Sequence, residues 1–448
     1  MSKRDVDSRL VEAIEKHAFV LGGALSEYDP IISAARDKQF VLIGEASHGT
    51  GEFYRTRAEI TRRLIEEEGF DAVAVEADWP DAYAINRFVS GGPTETSATE
   101  VLAVFERFPT WMWANHDILH FIEWLAAHNQ FDGSPPVGFY GLDLYSMNSS
   151  IHAVIEYLDK IDPAAASRAR LRYSCLDQFM DEPAAYGHAT EMGLSQSCEE
   201  DIIDQLTELR HKAYDYMRLD GFVLEEEHFC AEQNAKLVRN AEGYYRSMFG
   251  ARANSWNVRD RHMFETLEDL AAHLGDRIGR EARIVVWAHN SHIGNAAATE
   301  MSRRGELNIG QLAREAFGDK VLLVGFSTCR GTVSAASNWN QPVERKKVSE
   351  PFPGSYEHVF HHVNHKRFMI DLRAENEAVY LLREERLQRA IGVIYRPESE
   401  RESHYFYADL PQQFDFMIHI DETTAVRPLD IPTRWQKAET EETYPTGL

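Results

Sequence analysis

Four short apolar runs in this chain end in polar residues that a buried strand has no need of. Residues 40–43 lead into Gly44-Glu45-Ala46-Ser47-His48-Gly49, and residues 72–75 into Glu76-Ala77-Asp78-Trp79. Residues 137–140 lead into Gly141-Leu142-Asp143, and residues 283–287 into Ala288-His289-Asn290-Ser291-His292. If the four runs are neighbouring parallel strands, Glu45, His48, Glu76, Asp78, Asp143, His289 and His292 meet on one rim. Open α/β sheets bind their ligands at that end of the strands. Arg57 joins them from the next helix, where Phe53, Arg57, Ile60 and Leu64 share one face. A guanidinium inside an apolar stripe requires a carboxylate, and Glu76 is one expected partner. Arg55, Arg62 and Arg63 fall toward the outer face of the same helix.

The usual nucleophiles are missing from this pattern. Gly325-Phe326-Ser327-Thr328-Cys329 lacks the last glycine of a nucleophile elbow, and neither HExxH nor HxxEH occurs. The stretch from Gly44 to Thr50 lacks the lysine of a phosphate-binding loop. A histidine–carboxylate–arginine set without a nucleophile suits attack by water. One histidine acts as general base, a carboxylate orients its imidazole, and cationic groups face the developing oxyanion. The same residue types leave two alternatives open. A divalent metal could be held by His48, His289 or His292 with Glu45 or Glu76, or a catalytically retired scaffold could bind a small apolar or haem-like ligand. Glu45 and Asp143 could instead cap turns, and one of His289 and His292 could be a packing histidine. His358, His361, His362 and His365 share helical spacing, but exposed helical histidines are ordinary surface, so no metal or other cofactor is assigned.

Such a rim needs a sheet to position it. Further strands are expected at 321–324, 391–395 and 416–420, several apolar without alternation, as in strands covered on both faces. Helices are expected over 51–68 and from Trp79-Pro80, where proline suits a first turn. Between about 149 and 274 the pattern is helical only: Leu237, Val238, Ala241, Tyr244, Tyr245 and Met248 follow helical spacing. The expected fold class is α/β, a mostly parallel central sheet flanked by helices with a large helical insertion or subdomain. Residues 1–148 and 276–448 form the two halves of the core, and 149–275 form the insertion. The aromatic block 105–113, with Trp111 and Trp113, and Trp79 before it, either lines a cleft for a bulky apolar ligand or fills core.

Composition narrows the partners. The 448 residues carry 47 basic and 72 acidic side chains, a net charge of −25 that argues against nucleic acid and anionic membranes. Hydrophobic content of 44% and charged content of 27% are those of a globular chain, not a disordered one. No apolar run reaches the roughly 18–20 residues of a membrane span. Residues 1–17 read as an amphipathic helix, not a leader. Cys175, Cys198, Cys230 and Cys329 are too sparse for a disulfide scaffold and are expected as reduced packing residues of a cytoplasmic protein. The acidic runs 66–68, 225–227 and 398–402 are expected on the surface. A small-molecule substrate is the expected partner, with the oligomeric state left open.

Residues 41–48 with Glu52, Phe53 and Arg57, residues 70–76, 140–143, Arg259-Asp260-Arg261-His262-Met263 and residues 285–293 resemble, in the same order, the erythromycin esterase family. That resemblance implies hydrolysis of the lactone ester of macrolide antibiotics by metal-independent attack of water. It also implies an α/β core, a large helical portion and a cleft between them. It maps Glu45, His48, Arg57, Glu76 and His289 onto functional positions, with His48 the general base and His292 nearby. Gly49-Thr50-Gly51, residues 79–83 and the aromatic block look more like the broad branch of that family than its resistance enzymes.

Overall fold

The computed structural model describes residues 3–92, 96–131, 135–179, 183–217, 222–248 and 252–429. Its strands in chain order are β1 (Phe19–Val20), β2 (Phe40–Ile43), β3 (Ala72–Asp78), β4 (Gly138–Asp143), β5 (Ile284–Trp287) and β6 (Val321–Ala335). They continue as β7 (Glu344–Val348), β8 (Arg367–Asp371), β9 (Arg386–Arg389), β10 (Tyr405–Ala408) and β11 (Phe416–Thr423). The main sheet runs β1-β8-β11-β6-β2-β5-β3-β4, with β7 paired to the far half of β6. From β11 to β4 every pairing is parallel. β8 and β1 close one edge antiparallel, while β9 and β10 form a separate ribbon.

The four-residue β2 shows why its sequence is apolar throughout. Phe40 and Leu42 enter one hydrophobic core and Val41 and Ile43 the other, so both faces are covered. The first core joins the sheet to the helices that lie between β4 and β5. Val154, Leu158, Leu237, Val238, Ala241, Met263, Leu267 and Leu270 pack there with Ala72, Ala74, Ile284 and Val286. No strand interrupts those helices among the described residues. The second core holds the helix Gly51–Glu68 and the aromatic block: Phe53, Ile60, Leu64, Phe108, Trp111 and Trp113 meet Val73, Val75 and Trp287. That helix ends on Gly69 at φ 67°, whose N–H caps the carbonyls of Leu64 and Ile65.

β5 follows β4 in the chain but inserts between β2 and β3. Ile43, Trp287 and Val75 are therefore level with one another, and the polar residues after them emerge side by side. β3 and β4 lose register between Val75 and Asp78. Irregularities of that kind re-aim side chains at the end of a strand.

Several expectations are corrected. Residues 391–395 form no strand: Ile391 and Ile394 make isolated bridges to Ser47 and Ala336. The segment is buried as its β-branched pattern predicts, but its hydrogen bonds go to loops. The Ile391 N–H donates to Ala46 O (2.9 Å), and the Ala336 N–H donates to Val393 O (2.9 Å). Cys175 and Cys198 are joined as a disulfide, their Cα atoms 6.0 Å apart, so only Cys230 and Cys329 are buried thiols. Tertiary proximity, not the 23-residue spacing, brings the first two together. Glu400 is buried against Arg389 and Tyr395, and Glu226 pairs with Arg277 and His273. Neither is free surface. No helix among the described residues is long and apolar enough to cross a membrane.

Gly49 turns the chain out of β2 beneath the end of β6. Its carbonyl accepts from Ser334 N–H (3.0 Å) and Val426 N–H (2.8 Å). A Cβ there would stand 1.8 Å from Ser334 O, a backbone atom unable to give way. Gly49→Ala is expected to lower stability by roughly 1–3 kcal/mol through overpacking, read as a lower thermal midpoint. An unchanged midpoint would mean that the turn is not held as described.

Candidate active site

Glu45 lies two residues beyond β2 and holds two partners at once. One carboxylate oxygen, Oε1, is 2.8 Å from His48 Nδ1, and the other, Oε2, is 2.8 Å from Arg57 Nη2. All three side chains are buried. Arg57 comes from the apolar face of the helix Gly51–Glu68, as its spacing requires, and its guanidinium also lies over the rings of Tyr54 (4.5 Å) and Trp287 (5.2 Å). The Tyr54 hydroxyl donates to His48 O (2.7 Å), fixing the backbone under the imidazole. Arg57 thus pairs with Glu45 and not with Glu76.

The His48 ring faces His289, with ring centroids 4.7 Å apart. His289 caps the short turn Asn290–Ile293 after β5: its Nδ1 accepts from Ser291 N–H (3.2 Å) and stands 2.8 Å from Ser291 Oγ. A nitrogen that accepts an N–H carries no proton, so in the neutral ring the proton is on Nε2. That Nε2 is buried without a hydrogen-bond partner. Burial, reinforced by His48, pushes His289 well below its ordinary pKa, so the ring is neutral. Asn290 beside it ties β5 to β6 through Phe326 O (2.7 Å) and, by its backbone N–H, to the loop after β2 through Glu45 O (2.8 Å).

Glu76, on β3, is the hub of a second cluster. Its Oε2 accepts His289 N–H (2.8 Å), and its Oε1 accepts from Arg259 Nη2 (2.9 Å) and lies 3.3 Å from His292 Nε2. Burial alone would raise this carboxyl, but His292, His48 and Arg259 hold it well below the usual carboxylate range. Arg259 also grips Asp143 through Nε (3.0 Å) and Nη2 (2.7 Å) in a fork. Burial raises Asp143 too, yet Arg259 carries it below its ordinary value.

On its other side His292 Nδ1 lies 2.9 Å from Asp260 Oδ1, and its ring stacks on Trp256 at 4.5 Å. Burial would lower His292, but Asp260 and Glu76 push it up to about 9. Burial also lifts Asp260 above its ordinary value, though His292 opposes that rise. His292 is therefore an imidazolium with both nitrogens committed to carboxylates.

Asp78 accepts from Tyr145 N–H (2.8 Å), Ser146 N–H (3.1 Å) and Arg107 Nε (2.9 Å). Burial raises its pKa despite Arg107. Two guanidiniums lie over the Tyr145 ring, Arg107 at 4.6 Å and Arg259 at 4.9 Å. Asp78, Arg107, Trp113, Asp143 and Arg259 line, with Glu76, a small pocket of about 30 Å³. Trp113 Nε1 donates to Glu76 O (3.1 Å). Trp111 packs edge-on to Phe108, and Trp79 stacks on Tyr83 and Tyr140 with Nε1 toward Cys230 Sγ (3.5 Å). Both of these tryptophans are core. Trp113 alone among the three lines the pocket.

The structure thus gathers Glu45, His48, Arg57, Glu76, Asp78, Asp143, His289 and His292 at the carboxyl ends of β2, β5, β3 and β4. Sequence reasoning gave no role to Arg259, Asp260, Trp256, Arg107 or Tyr145. The first two were legible by the argument that found Arg57. Arg259 lies one helical turn before Met263 on the apolar face that continues through Leu267 and Leu270, and both Arg259 and Asp260 are buried.

A family model described as erythromycin esterase matches residues 65–423, a span that starts after Glu45, His48 and Arg57. The chain is 24% identical over 349 residues to "Putative hydrolase YbfO" of Bacillus subtilis (strain 168), covering 72% of this chain and 71% of that protein. It is 22% identical over 351 residues to an erythromycin esterase type II of Escherichia coli, covering 74% and 80%. In three dimensions it resembles a solved mutant erythromycin esterase in its open conformation. The TM-score is 0.66 at 14% identity, over 91% of this chain and 97% of that one. The α/β architecture is shared.

The His292–Asp260 pair sets a pH dependence. His292 rises from 6.5 to about 9 in the folded protein, so its contribution to stability is complete below about pH 6.5 and lost as pH rises through 9. Glu76 is depressed, and its contribution is present above about pH 4.5 and lost on further acidification. Asp260→Asn is expected to lower the thermal midpoint more at pH 6 than at pH 9.5. An equal drop at both would show that no ion pair is lost.

Proposed function

Because the chain belongs to the erythromycin esterase family, we propose that it is a hydrolase that cleaves a carboxylic ester with water activated by His48. A macrocyclic lactone is the narrower substrate class within that reading, in keeping with the printed name of the Escherichia coli relative. The observation that carries the reading is the 2.8 Å contact between Glu45 Oε1 and His48 Nδ1. A carboxylate there holds the proton on Nδ1 and leaves the basic lone pair on Nε2, the tautomer that a general base needs. Arg57 holds Glu45 in place through its other oxygen.

In the proposed reaction water attacks the ester carbonyl carbon while His48 Nε2 takes its proton. The carbonyl π pair moves onto oxygen, and His289 Nε2–H, neutral and unpartnered, donates to the oxyanion. Such donors, preorganised in a dry site, act on the charge that develops in the transition state. When the intermediate collapses, the acyl carbon–oxygen bond breaks and the alkoxide takes the proton held by His48. A carboxylic acid and an alcohol result, with one water consumed. Glu76 does not orient His48 in this scheme. It supports His289 by accepting its backbone N–H. The adjoining pocket, about 30 Å³, has room for little more than water, far below the volume of a drug-sized ligand site.

With a panel of carboxylic esters and macrolide lactones, His48→Gln is expected to lower kcat/KM by roughly 10²–10⁴-fold while the protein stays folded. In ¹⁸O-labelled water one label is expected in the carboxylic acid and none in the alcohol. A folded His48→Gln protein at full rate would sink the assignment.

Glu45→Gln separates orientation from binding. The amide still reaches His48 but no longer neutralises Arg57, so kcat should fall with KM little changed. A change confined to KM would move Glu45 from the reaction to substrate binding.

A further inference from the structure

Away from this rim, β6 and β11 run parallel, with Ser327 level with His419 and Arg330 level with Glu422. Side chains alternate along a strand, so Ser327 and Cys329 on β6 share a face, as do His419 and Asp421 on β11. All four are buried. The helix Tyr356–His361 brings a further group, with His361 Nδ1 at 2.6 Å from Asp421 Oδ1. Ligand atoms of Cys329, His361 and Asp421 lie within 4.8 Å of one another. His419 Nδ1 is taken by Ser327 Oγ (2.8 Å), while its Nε2, fully buried, has no hydrogen-bond partner and lies 3.7 Å from Asp421 Oδ1. The rings of Phe360 and Phe368 pack on His419 at 5.4 and 5.0 Å.

The hydrolytic scheme uses none of these residues. A group of thiol, imidazole and carboxylate side chains in an apolar setting carries a desolvation cost that packing alone does not offset. We propose that Cys329, His361 and Asp421 form a binding site for a zinc-class divalent cation, with His419 Nε2 as the fourth ligand. Mixed sulfur, nitrogen and oxygen donors select such a cation over magnesium or calcium, whose ligands are oxygens. Two anionic ligands, a thiolate and a carboxylate, neutralise its two charges. On binding, the Cys329 thiol proton leaves to solvent and Sγ forms a bond to the metal. His361 exchanges its contact with Asp421 for the cation. The Lys366 ammonium, 3.4 Å from Asp421 Oδ2 on a mostly exposed side chain, swings away as that carboxylate turns. His361 is partly exposed and gives the cation its entry. With four protein ligands the site is closed, and its role is to tie β6, β11 and the helix Tyr356–His361 together rather than to hold a reacting water.

The test uses the full-length, tag-free protein stripped of metal, with Co²⁺ as a coloured probe and Zn²⁺ as competitor. One equivalent of Co²⁺ should bind with a thiolate-to-cobalt charge-transfer band that Zn²⁺ abolishes. That band should be absent from Cys329→Ser and retained in His48→Ala. The thermal midpoint should rise with Zn²⁺ for the native chain and not for Cys329→Ser or His361→Ala. His361 is the more exposed of the two positions, and its variant decides the matter if Cys329→Ser does not fold. Ester hydrolysis by His361→Ala should match the native rate. Cobalt bound without the thiolate band, no binding at stoichiometric concentration, or an equal response of all variants to Zn²⁺ would overturn the proposal.

Discussion

A guanidinium buried away from water has to be neutralised where it stands, because it can neither shed its proton nor reach solvent. Two such groups organise this protein. Arg57 is neutralised by Glu45, and Arg259 by Glu76 and Asp143. Each carboxylate stands at the end of a different parallel strand, and each arginine comes from a helix on a different face of the sheet. The ion pairs therefore hold both helical layers to the strand ends. Arg259, with His292 and His48, also holds the Glu76 carboxyl below its usual range.

The two histidines at the centre are driven to opposite states by their surroundings. His289 is buried with a neighbouring imidazole and an N–H aimed at its Nδ1, so it stays neutral with its proton on Nε2. His292, three residues later, lies between Asp260 and Glu76 and is charged. Neither state follows from being a histidine near the end of β5. Each follows from what the helix Arg252–Ile278 and β3 present to it. Pairs of titratable groups pushed apart in this way mark sites where proton transfer and charge stabilisation are divided between residues.

The acidic surplus has a similar division. Much of it, such as Glu67 and Glu402, stands on the outside, where it favours solubility. A smaller part is buried at the rim, and Glu400 is buried against Arg389. Counting charges separates none of these groups. Their surroundings do.

The rim itself was legible in the amino-acid order. Apolar runs without alternation predict strands covered on both faces, and polar residues just past them predict a ligand-facing end. The spacing of Arg57 among Phe53, Ile60 and Leu64 predicts a buried cation. These are local signals, set by the periods of strand and helix. The partners were not local. That Arg57 meets Glu45, that Arg259 and Asp260 reach across from a helix more than a hundred residues after β4, and that residues 391–395 bond to loops depend on how the elements pack. Sequence periodicity states which side of an element faces inward. Only the packed sheet and helices decide which charges then stand close enough to fix one another's protonation.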